Sequence, residues 1–115
     1  MKDYPKHYEQ IKALMGQLRE DIPDTMSGFA ALHKGAVAPG AVDTKTKELI
    51  ALGIAVAVRC DGCIAFHVHD AIEAGATRTE ILEAVGVAVL MGGGPALMYG
   101  AEALAALDQF QPEGA

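Results

Sequence analysis

The 115-residue sequence has no tryptophan and only three phenylalanines and three tyrosines. Its core must therefore be built from Ala, Val, Leu, Ile and Met, side chains that pack well between helices. Basic residues are missing from the end of the chain. No Lys or Arg follows Arg78, and Glu80, Glu83, Glu102, Asp108 and Glu113 stand unopposed. With a net charge of −6, such a surface lacks the cationic footprint that phosphate backbones and anionic lipid require. No nucleic-acid or membrane partner is expected. The first residues, Met1-Lys2-Asp3-Tyr4-Pro5-Lys6-His7, mix acids and bases and lack the apolar stretch of a secretory leader. The longest uncharged run, residues 84–101, is interrupted by Gly92-Gly93-Gly94-Pro95 and falls short of the roughly 20 apolar residues of a spanning helix. A cytoplasmic, reducing location is the expectation, and strand patterning is almost absent.

What is present is a chain 51% hydrophobic and 21% charged, far from the composition of disordered sequences and long enough for one core. An all-α bundle of about six helices is predicted. Residues 1–20 form an N-terminal helix, residues 21–110 the main body and residues 111–115 a frayed tail, within a single domain. Pro5 suits the first turn of the first helix, whose Tyr8, Ile11, Leu14, Met15 and Leu18 recur at helical spacing. A second helix spans 24–33, and residues 34–40 connect it to a third that Asp43 or Thr44 can cap and that runs to 58. A fourth runs from near 60 to a stop before Gly75. Thr77-Arg78-Thr79-Glu80 has the form of a capping box and opens a fifth helix to 91; Pro95 starts a sixth that ends near 110. Residues 49–58, 84–91 and most of 96–107 are apolar nearly all round. So few short helices cannot cover three such segments, so subunit association is predicted.

The chemistry-bearing segment is Cys60-Asp61-Gly62-Cys63-Ile64-Ala65-Phe66-His67, with Glu48 twelve residues before Cys60. Both cysteines of the chain are here. At a helix start this spacing lets the sulfurs close a small disulfide, and the unpaired amides there favour a thiolate. His67, four residues after Cys63, projects from the same helix face and can take the thiol proton. Glu48, early in the third helix, can orient His67 directly or through water if it faces inward; otherwise it is a solvated first-turn acid. Other readings stand beside this one. Cys60, Cys63, His67 and His69 supply four zinc ligands, although the two histidines point about 200° apart on a helix. The pair can also be a structural disulfide, which a three-residue spacing makes weakly stabilising, or two inert core thiols. His7, His33 and His69 show no partner in sequence. The glycine run lacks the Lys-Ser/Thr of a phosphate-binding loop and reads as close helix packing.

These residues resemble the AhpD-like alkylhydroperoxidase and carboxymuconolactone decarboxylase family. The match is Glu48, eleven intervening residues, then Cys60-x-x-Cys63-x-x-x-His67. It extends to Asp43-Thr44-Lys45-Thr46-Lys47-Glu48-Leu49-Ile50-Ala51-Leu52, to Ala74-Gly75-Ala76-Thr77 and to Met91-Gly92-Gly93-Gly94-Pro95-Ala96, so that residues 20–108 are covered. The resemblance implies an all-helical homo-oligomer, a trimer or hexamer, with its site near subunit contacts. It further implies that Cys63 attacks a hydroperoxide and Cys60 resolves the sulfenic acid, with His67 and Glu48 as proton relay. An external dithiol, dihydrolipoyl or thioredoxin-like, then reduces the pair, and no bound cofactor or metal takes part. The sequence departs from the best characterised peroxidases at Gly62, where they resemble Cys-x-His-Cys. That change implies slower peroxide turnover or general disulfide exchange. A non-catalytic redox sensor and a decarboxylase-like enzyme are the alternatives.

Overall fold

A computed structural model describes residues 1–111, which contain helices and no strand. The helices are α1 (Tyr4–Asp21), α2 (Pro23–Val37), α3 (Thr44–Ala57), α4 (Asp61–Glu73) and α5 (Arg78–Phe110). Their ends follow from local chemistry. The Asp3 carboxylate accepts from the Lys6 amide at 3.0 Å, with Pro5 in the first turn. The Asp43 carboxylate accepts from the Thr46 amide at 2.8 Å, while the neighbouring Thr44 hydroxyl donates to the Val37 carbonyl at 2.7 Å and fastens the α2–α3 connection. Thr77 and Glu80 form the reciprocal capping box, at 2.8 and 3.2 Å. Gly75, at φ 92°, supplies the left-handed turn after α4.

Two sequence expectations need correction. α2 reaches Val37 instead of stopping at His33, because Gly35 avoids the left-handed conformation and the first proline comes only at Pro39. The predicted fifth and sixth helices also meet without a loop, at Gly93, whose φ of 70° and ψ of −150° lie outside helical space. The chain doubles back there. Arg78 pairs with Asp108 thirty residues away, and a Cβ on Gly100 would lie 3.0 Å from Val85 Cγ1. The arms 78–92 and 94–110 therefore pack against each other as a hairpin. Length and composition alone would let α5 cross a bilayer, but each arm of this hairpin is too short to do so.

The core lies where α3, α4 and the α5 hairpin meet, around Leu52, Val56, Ile64, Val68, Ile81 and Leu107, all fully buried. From α1 only Tyr4 is buried. Its hydroxyl donates to Glu102 at 2.6 Å and its amide to Gln109 at 2.6 Å. Burial and the adjacent carboxylate both hold this phenol above its ordinary pKa. Leu14 and Leu18, part of the apolar spacing of α1, are 62% and 45% exposed. α1 and α2 instead form an outer arm, α1 against α4 and the α5 hairpin and α2 against α1 and α3, and α2 has no buried residue. Of the predicted tail, Gln111 ends α5 and residues 112–115 lie outside the described residues.

Candidate redox site

The turn between α3 and α4 sets the site. Arg59 adopts φ 60°, a conformation uncommon for a residue with a side chain, and this lets the Cys60 amide reach back to the Ala55 carbonyl at 3.1 Å. Cys60 is thereby placed as the cap of α4, its sulfur accepting from the Cys63 amide at 3.2 Å. The two sulfurs are bonded, with Cα atoms 5.2 Å apart. They sit at the end of α4 where unpaired amides favour negative charge. Asp61, in the same first turn, would oppose that field, but Lys2 pairs with it at 2.8 Å.

One turn beyond Cys63, the ring of His67 meets Glu48 of α3, Nδ1 to Oε2 at 3.0 Å. Glu48 is 2% exposed and is the one charged residue in the core among the described residues. With the carboxylate ionised and the ring neutral, Nδ1 is the donor of this pair and Nε2 is left as the ring's acceptor. His67, Cys60 and Cys63 all line a groove of about 670 Å³ whose other walls are α1 and α2. Ile11, Met15, Met26, Phe29 and Phe66 give it an apolar lining, with Lys12 and Arg19 as cationic groups and Tyr8, His33 and Asp70 as further polar ones. Burial raises the Tyr8 hydroxyl above its ordinary pKa, and Asp70 adds to the shift.

The structure thus brings Cys60, Cys63, His67 and Glu48 together. His69 does not join them: it stacks on Tyr8, with ring centroids 4.3 Å apart, and pairs with Asp70 at 3.0 Å. The four-ligand zinc set read from the sequence is accordingly split between two sides of α4. Gly62 has a packing reason, since a Cβ there would stand 3.0 Å from Ile11 Cδ1. A side chain at this position would make the Ile11 tip shift by a few tenths of an ångström. The sequence gives His33 no partner, yet α2 carries it into the groove together with Met26, Phe29 and Ala30. The three-to-four residue spacing of these four positions was the available signal.

The profile of the carboxymuconolactone decarboxylase family matches residues 23–106. A family protein from Legionella pneumophila, solved in its apo form, superposes with a TM-score of 0.90 at 47% identity, covering 93% of this chain and 96% of its own. A family protein from Thermotoga maritima, for which a part in an antioxidative response has been suggested, gives 0.82 at 29% identity over 93% and 91% of the two chains. An uncharacterized protein from Cupriavidus necator is 37% identical over 92% of this chain and 94% of its own. The chain belongs to the carboxymuconolactone decarboxylase family, and its all-helical fold is that of the AhpD-like proteins within it.

Proposed function

We propose that the protein is a thiol-dependent alkylhydroperoxidase or disulfide oxidoreductase. The observation that carries this reading is the Cys60–Cys63 pair at a helix start, one turn from an imidazole whose Nδ1 is held by a buried carboxylate. In the reduced protein His67 Nε2 accepts the Cys63 proton. The thiolate attacks the distal peroxide oxygen, the O–O bond breaks, and the alkoxide leaves as the alcohol after taking a proton from the relay. Cys63 is then a sulfenic acid. The Cys60 thiol displaces its hydroxyl as water, closing the disulfide, and an external dithiol of dihydrolipoyl or thioredoxin-like type restores both thiols by exchange. Peroxide is reduced by two electrons and the dithiol oxidised by two, so the cycle balances without a metal or flavin.

The apolar lining of the groove favours an organic hydroperoxide over hydrogen peroxide. The same site, without a relay histidine at position 62, also supports disulfide exchange with the dithiol alone. The suggested antioxidative role of the Thermotoga maritima relative agrees with this reading. A reducing cytoplasm and a homo-oligomeric assembly complete the proposal. The test is the intact mass and free-thiol count of the reduced, metal-free protein before and after one equivalent of an organic hydroperoxide, and again after dihydrolipoamide. Loss of both thiols followed by recovery is expected. Thiols that persist through the hydroperoxide step would sink the peroxidase reading.

A further inference from the structure

At the inner side of the groove lies a second set of donors that shares only Glu48 with the thiol chemistry. His33 of α2, Glu48 of α3 and Asp70 of α4 each bring a ligand atom, one imidazole nitrogen and two carboxylate oxygens, to within 4.8 Å of one another. Two carboxylates this close repel unless a proton or cation lies between them. Glu48 is 2% exposed, and among the described residues its one hydrogen bond, from His67, engages Oε2 and leaves Oε1 without a donor. Asp70 engages only Oδ1, with His69, and His33 forms no hydrogen bond among the described residues. Three helices thus converge on one point with coordination capacity unspent.

We propose that His33, Glu48 and Asp70 bind a borderline first-row divalent cation, with Zn²⁺ as the fitting probe. Donors at about 2.0–2.2 Å from one ion lie roughly 3–3.5 Å apart, so the present spacing has to close by about 1 Å. α2 supplies that freedom because none of its residues is buried. One imidazole and two carboxylates, completed by water, suit zinc, manganese or iron better than the all-oxygen sites of calcium or magnesium. This set contains no sulfur and differs from the cysteine-based one considered in the sequence. The ion would tie the α1–α2 arm to the core and close the groove at its inner end. Because Glu48 is shared, occupancy would also draw its carboxylate from His67.

The site is tested on the oxidised protein, in which the disulfide prevents the sulfurs from binding metal and no turnover is measured. The outcome is therefore independent of the peroxidase reading. Zn²⁺ titration by calorimetry and the visible spectrum of added Co²⁺ are expected to show one ion per chain and a rise in Tm. His33→Ala and Asp70→Asn should each weaken binding at least tenfold and remove the Tm shift. Glu73→Gln, an exposed acid elsewhere on α4, should leave both unchanged. Absence of saturable binding to the oxidised wild type would overturn the site, as would binding undiminished in both variants or lost equally in Glu73→Gln.

Discussion

At the residue scale the cysteines have unequal tasks, and substitution separates them. Cys63→Ser should abolish consumption of organic hydroperoxide, whereas Cys60→Ser should still take one oxygen and accumulate a sulfenic or sulfinic acid, read as added mass. Equal loss of the first oxidation in both would void the assignment. His67→Ala should move the alkylation profile of Cys63 to higher pH, since the base that favours its thiolate is gone, and Glu48→Gln should move it the same way by less. A profile unchanged in His67→Ala would remove that residue from the relay. Tyr4→Phe, remote from the sulfurs, removes the bond to Glu102. It should lower stability by about 1–2 kcal/mol in urea unfolding while leaving thiol chemistry intact. The meeting of Glu48 with His67 was legible because each spacing acts within one helix and the family resemblance joins the two. His33 and Tyr4 were not, since their partners lie on helices whose approach no local pattern encodes.

At the element scale, caps and stops were readable because they are local. Asp43, Gly75 and the Thr77–Glu80 box stand where side-chain chemistry places them. The hairpin within α5 was only half legible. Gly92-Gly93-Gly94-Pro95 announced a break, but a reversal made by one residue depends on packing between arms fifteen residues apart. Gly93→Ala forces a side chain into φ 70° and should cost about 1–3 kcal/mol in urea unfolding. Gly86 gives the contrasting case, mid-helix with open space around its Cβ position; Gly86→Ala should raise stability by up to about 1 kcal/mol. A Gly93→Ala protein as stable as the wild type would mean that the arms can turn by another route. On α1 the spacing marked the apolar residues without saying what covers them. Its apolar spacing is real, but Leu14 and Leu18 stay exposed among the described residues.

At the scale of the whole molecule, those residues join a larger set. Ile50, Ile54 and Val58 form one stripe along α3, exposed by 53%, 57% and 62%, and Leu90, Met91 and Met98 crown the α5 reversal at 79%, 78% and 61%. Scattered apolar residues are ordinary on protein surfaces, but aligned stripes mark association. Ile54→Glu on the α3 stripe should shift sedimentation toward smaller species with little change in helix content, and an unchanged mass would place the contact elsewhere. Such an assembly would hold several cysteine pairs at once. The sulfur that closes each disulfide also accepts the Cys63 amide of the same helix start. That amide resonance is then a tally for each copy. In slow exchange, a half-oxidised assembly displays two separate signals instead of one average, and their ratio counts the closed pairs without a reagent ever touching a thiol.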